Sequence, residues 1–249
     1  MGINAQAASS EAGIGQFEIS LQHGDALRIA DDTWLFKTLL IGVARKHGYA
    51  ASFMAKPYPN DAGNGLHLHF SVLDEAGENI FDDGTKQGSP LLQNAVAGCL
   101  ATMRAATLGF APHANSYARM DPENHAPTSI CWGYENRTAA LRSPAGAPIA
   151  RRIEHRVAGG DINPFLTLSL ILGAALLGIE DDLTPPLPIT GNAYSQNLPQ
   201  LIHSWSDAID IFENDPMVAQ ILPAQLVENF SLTKRQELDG LKNIPQEEH

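Results

Sequence analysis

Apolar and polar positions alternate along residues 16–22 and again along residues 65–73, and a period of two predicts a strand in each. In the second stretch Leu66, Leu68, Phe70 and Val72 share one face and belong to a core. His67, His69 and Ser71 share the other. Strand-like segments recur within residues 130–142 and 151–157, and in the latter the same period aligns Arg152, Glu154 and Arg156. Helical patterning begins after the caps Asp31, Asp32 and Thr33 and runs to Lys46, where His47 and Gly48 stop it. A long helix is expected from Pro90 to Leu108, ended by Gly109 and Pro112. The apolar run from Pro164 to Ile179 reads as a buried helix, since at about 1.5 Å per residue it falls short of a bilayer core. A stiff proline loop at 184–188 precedes three helices near 200–212, 216–222 and 223–239. Strands mix with helices without a regular βαβ repeat, so the expected class is α+β, with a mostly antiparallel sheet and packed helices.

Composition narrows the function. The 249 residues are 44% hydrophobic, as expected for a packed globule, here read as a single domain over 1–249. Net charge is 16 − 28 = −12, which argues against a nucleic-acid partner, because neutralising phosphates needs basic surface. Residues 1–10 show neither the charged start nor the apolar stretch of a secretory leader, and no segment asks for a membrane. Cys99 and Cys131 both sit among apolar residues and read as reduced, buried thiols, so a cytoplasmic location is expected.

Against that acidic background, three short motifs hold six arginines: Arg119; Arg137 and Arg142; Arg151, Arg152 and Arg156. Clustering of this kind suits a small polyanion, because guanidinium meets phosphate through paired hydrogen bonds. Glu154 between Arg152 and Arg156 reads either as a rung of an ion-pair ladder or as a metal ligand flanked by phosphate-binding forks. Glu11 and Glu18 flank a glycine-rich turn, as cation ligands or as solvated surface carboxylates. His67, His69 and Ser71 on an open strand face read as ligand contacts or polar filler. There is no P-loop, and Gly13 and Gly15 lack the context of a dinucleotide fingerprint, so any nucleotide must be held through metal and arginines.

In chain order, the motifs from Glu11 to Glu18, Ala62 to His69 (its first residue changed), Asn115 to Arg119, Asn136 to Arg142 and Arg151 to Arg156, then Asn163–Pro164, resemble those of the glutamine synthetase family. The resemblance covers nearly the whole chain. It implies a catalytic domain of the glutamine synthetase/guanidino kinase type, using ATP as substrate with Mg²⁺ or Mn²⁺. It implies that Glu11 and Glu18 hold one metal, and that His67 and Glu154 hold a second on the ATP side. His69, Ser71, Arg137, Arg142 and Arg152 would meet phosphates, and Gly63, Arg119 and Arg156 would meet glutamate. Arg137 would also serve the transferred phosphoryl group. The implied reaction phosphorylates the γ-carboxylate of glutamate and captures the acyl phosphate with an amine.

Two departures sharpen the expectation. Ammonia-using members carry a glutamate six residues after the arginine of the Asn115–Arg119 motif, and this chain has His125 there. Imidazole accepts a proton but offers no fixed negative charge to an ammonium ion. A larger amine, as in γ-glutamylpolyamine and γ-glutamylamide synthetases, is therefore expected as acceptor, with His125 catalytic; glutamine synthetase itself is the alternative. The family's N-terminal β-grasp domain and metal-bearing strand are not found in the chain. The sequence is therefore read as a fragment, inactive by itself, of an enzyme expected to form a ring-shaped homo-oligomer. A non-catalytic family member would have no need of all these arginines and metal ligands, and a guanidino kinase would need a reactive cysteine where Cys99 looks like helix core.

Overall fold

The computed structural model describes residues 2–241. In order the elements are β1 (Ala5–Ser10), β2 (Phe17–Leu21), α1 (Ala26–Lys46), β3 (Leu68–Phe70), α2 (Pro90–Met103), α3 (Thr107–Phe110), α4 (Ala114–Arg119), β4 (Trp132–Tyr134), β5 (Leu141–Ser143), β6 (Ile153–His155), α5 (Pro164–Glu180), α6 (Trp205–Asn214), α7 (Pro216–Ile221) and α8 (Ala224–Leu241). The fold is α+β. One sheet has the order β3-β6-β5-β4; its β4–β5 pair is parallel and the others are antiparallel. β1 and β2 form a separate antiparallel hairpin in which Ser9 faces Glu18.

The alternation along 65–73 survives as geometry, although only Leu68–Phe70 form a continuous ladder. Bridges at Gly65–Gly159 and Leu73–Asn79 extend the pairing at its two ends. Leu66, Leu68, Phe70 and Val72 pack on the main core, and Ile153 is fully buried beneath the neighbouring strand. His67, His69 and Ser71 are exposed, as one face of a strand requires.

α2 and α5 cross over this core at two glycines. A Cβ on Gly98 would meet the Ala174 carbonyl oxygen at 2.0 Å, and one on Gly178 would meet the Asn94 carbonyl oxygen at 2.2 Å. The predicted buried helix is α5, capped by Asn163, whose side chain accepts from the amides of Phe165 and Leu166. Cys99 lies in this interface with its thiol pushed up to about 12 by burial, and both cysteines are free and buried. No helix among the described residues is long and apolar enough to cross a membrane.

Several boundaries differ from expectation. α1 starts a turn and a half before the predicted caps, because the Asp25 carboxylate already accepts from the amides of Leu27 and Arg28. Asp32, inside the helix, pairs instead with Arg28 one turn earlier. The predicted helix 90–108 ends at Met103, and α3 follows as a short separate turn. β1 is small and exposed along its whole length, and so carries no alternation to read.

Candidate active site

β6 places Glu154 at the centre of the four-stranded sheet, opposite His69 on β3 and Arg142 on β5. Glu154 is 2% exposed, so the ion pairs it makes with Arg142 and Arg156 are buried. Oε1 accepts from Arg156 Nη1 at 2.9 Å and faces His67 Nδ1 at 3.4 Å and His69 Nε2 at 3.6 Å. Arg142 Nε lies 2.5 Å from Oε2 but outside hydrogen-bond alignment, so Oε2 keeps a free lone pair in a buried position.

The histidines are held neutral. Although the His67 side chain keeps 33% of its surface in solvent, desolvation of its inner edge, reinforced by the guanidinium charges of Arg156, Arg119 and Arg142, pushes the imidazole down to about 3. Burial likewise lowers His69, only partly offset by Glu154. Arg152 Nε donates to His69 Nδ1 at 3.1 Å, so the proton of His69 sits on Nε2, toward Glu154. His67 Nδ1 and Glu154 Oε1 face each other, and a neutral imidazole with a carboxylate would be a fitting donor pair for a divalent cation seated between them. Among the described residues no group of three or more His, Cys, Asp or Glu side chains is arranged to hold a metal ion by itself. Glu11 and Glu18 stand on the exposed hairpin and do not complete a cluster with His67 and Glu154.

The hairpin is nevertheless tied to the strand that carries the histidines. Gln16 Nε2 donates to the Gly63 carbonyl at 2.9 Å while its Oε1 accepts from the Gly13 amide. The Asp61 carboxylate accepts from the amide of Ile14, and that bond with the one from Ala62 holds it below the usual carboxylate range.

The arginines divide into two groups. Arg142 and Arg156 are drawn in toward Glu154. Arg137, in the turn between β4 and β5, is exposed and makes no ion pair among the described residues. Arg152 is half-buried and anchored through Ala150 and His69. Arg119 is a buried pillar: Nη1 donates to the Val157 carbonyl at 2.8 Å, and a Cβ on Gly65 would meet Nη2 at 2.7 Å. Burial lowers its guanidinium to about 10, with Asp161 as the main opposing charge. Gly63 packs against the same side chain, its missing Cβ 2.8 Å from Arg119 Cγ. His125 follows a short 3₁₀ turn (Pro122–Asn124) at left-handed φ 54° and is exposed.

Sequence reasoning gave no role to three residues. Asp161 accepts from Ser116 Oγ at 2.5 Å and supplies the charge beside Arg119; only the fold brings it there. The Tyr194 hydroxyl is buried with no hydrogen-bond partner, within the field of Arg156 and Arg119. Lys56 links two loops, as described below.

A buried carboxylate ringed by arginines and neutral histidines on a mixed sheet is an arrangement suited to a small polyanion. A solved structure of GmaS without ligand superimposes with a TM-score of 0.89 at 32% identity, covering 98% of this chain and 57% of that one. Residues 1–248 match the family model for the glutamine synthetase catalytic domain, and the chain belongs to that family. Gamma-glutamylputrescine synthetase of Escherichia coli (strain K12) is 42% identical over 216 residues, 86% of this chain and 46% of that protein. Glutamine synthetase of Methanocaldococcus jannaschii is 32% identical over 252 residues, 97% of this chain and 56% of that protein. The chain thus spans about half the length of the curated relatives it matches.

Proposed function

We propose that the protein carrying this chain is an ATP-dependent ligase that joins the γ-carboxylate of glutamate to an amine larger than ammonia. Mg²⁺ or Mn²⁺ held by His67 and Glu154, and by Glu11 and Glu18, would neutralise phosphate charge when bound. Arg137 and Arg152, with His69 and Ser71 on the same open face, orient the ATP phosphates. A γ-carboxylate oxygen attacks the γ-phosphorus and ADP leaves. The amine nitrogen then attacks the acyl carbon, phosphate leaves, and His125 takes the surplus proton. Arg119 and Arg156, beside Gly63, receive the charged end of glutamate.

The observation that carries the acceptor reading is His125 at the exposed tip of its loop. A carboxylate at that place would attract ammonium, whereas imidazole does not. A carbon chain recovers affinity by burial, at about 0.8 kcal/mol per CH₂. Greater identity to the putrescine enzyme than to the archaeal glutamine synthetase agrees with this. The test is kcat/KM of the full natural protein for putrescine, ethanolamine and ammonia, read as ADP release with glutamate present. Putrescine or another alkylamine is expected to exceed ammonia, and His125→Glu to shift the ratio toward ammonia. Ammonia exceeding every amine in the wild type would make this a glutamine synthetase.

A further inference from the structure

Lys56 joins three parts of the site. Its backbone is clamped to the start of α4: Lys56 N donates to Asn115 Oδ1 at 2.8 Å, and Asn115 Nδ2 donates back to Lys56 O at 2.9 Å. From that fixed base its ammonium donates to the Asp61 carbonyl at 2.5 Å and to Asn124 Oδ1. Asn124 is the residue before His125, and its Nδ2 donates to the Ala118 carbonyl at 3.3 Å. Asp61 opens the turn that leads to Gly63 and receives the Ile14 amide of the hairpin. The two segments also touch directly, for a Cβ on Gly63 would lie 3.4 Å from Asn124 Cβ.

The segment 121–126 has little else to hold it. Its residues are exposed apart from half-buried Asn124 and buried Ala126, and its turn is a single 3₁₀ turn closed by the Asp121 side chain on the Glu123 amide. His125 is in the left-handed region, which a non-glycine residue keeps only when its neighbours hold it there. The Lys56 ammonium supplies a charge-assisted hydrogen bond at the adjoining residue.

We propose that Lys56 is a positioning residue for the amine: by bridging Asp61 O and Asn124 Oδ1 it holds the segment 121–126 against the glutamate-side turn and so sets where His125 meets the acceptor. The proposal rests on the reading that the acceptor arrives beside His125. When the bridge is made, the segment shields the acyl carbon from water. When it is lost, the amine binds less well and water competes for the acyl phosphate.

The experiment uses the full natural protein with putrescine as probe amine and compares Lys56→Met, Lys56→Arg, Asn124→Ala, the double variant Lys56→Met/Asn124→Ala, and His125→Ala. In Lys56→Met the amide hydrogens of 121–126 should exchange faster, while those of 153–157 do not. KM for putrescine should rise about tenfold, as the loss of one charge-assisted bond allows, with KM for ATP unchanged. ADP released per γ-glutamylputrescine formed should rise. Lys56→Arg should restore most of this, and the double variant should be no worse than Lys56→Met alone. Unchanged exchange at 121–126, equal shifts in the KM of all substrates, or additive single variants would each overturn the proposal. Faster exchange with a normal putrescine KM, while His125→Ala is impaired, would overturn the role in positioning. If His125→Ala itself is normal, the acceptor reading fails, and the positioning role of Lys56 fails with it, whatever the exchange data show.

Discussion

Glu154 shows how burial changes the meaning of a residue. With Arg142 and Arg156 against its oxygens and almost no solvent access, its loss strands two guanidinium groups in a poorly hydrated place. Breaking a buried pair in this way costs about 3–5 kcal/mol. Glu154→Gln should therefore lower the unfolding free energy by about that much as well as cut turnover by roughly a hundredfold, checked by urea unfolding beside steady-state kinetics. Retained stability together with retained activity would return Glu154 to the role of a passive rung. Its neighbour His155 points the opposite way, into the core, 4.6 Å from the Phe110 ring, with Nδ1 unpartnered and burial pushing its pKa down to about 3. Between about 3 and the unfolded value near 6.5 the unfolded chain binds a proton there that the folded chain does not, so stability falls as pH falls through that window. From pH 7 to pH 5 this histidine alone accounts for about 2 kcal/mol. His155→Phe should flatten that part of the profile, and an unchanged slope in urea titrations at the two pH values would contradict the assignment.

Elements hold the site through close packing more than through propensity. The α2–α5 crossing depends on Gly98 and Gly178 meeting backbone to backbone, at distances that leave no room for a methyl group. Gly98→Ala should destabilise by about 1–3 kcal/mol or more, because relief requires parting two buried helices. The helices lie beneath the sheet and not in the site, so KM values in the surviving folded population should stay near wild type. Denaturant midpoints and KM measured on the same preparation check both statements. At this scale the sequence was informative where a face is half-buried. The alternation in 65–73 and 151–157 placed both strands and their core-facing sides. It was silent about β1, where every side chain is exposed and none is a large apolar one, and about α4, whose short span carries too few apolar positions to show a period. It placed the start of α1 late, because Asp31 and Asp32 look like caps until Asp25 is seen to have taken that role.

At the scale of the molecule, the hairpin carrying Glu11 and Glu18 is a separate sheet joined to the rest of the site by side-chain contacts. Gln16 is one of those ties, with its amide used at both ends. Gln16→Leu removes two hydrogen bonds, each worth about 0.5–1.5 kcal/mol. Faster amide exchange over residues 13–18 is expected, with β6 unaffected, and a higher Mn²⁺ concentration should be needed for half-maximal activity. Equal exchange in mutant and wild type would show that other contacts suffice to hold the hairpin.

The sequence by itself determined which faces are wet, which helix is buried, and the ordered motifs that place the chain among glutamine synthetase-type domains. These are local properties, set by the two-residue repeat of a strand, by caps, and by spacing within a few residues. Only the tertiary structure decided that Glu154 is enclosed, that Arg142 and Arg156 turn inward while Arg137 stays free, and that Arg119 stands as a pillar against Gly65. The same holds for the Lys56 bridge to the loop of His125. Those facts depend on the register in which β3, β5 and β6 pair and on where loops far apart in the chain come to rest. A one-residue slip in that register would turn Glu154 or Arg142 to the other face, and no spacing within a single motif encodes it.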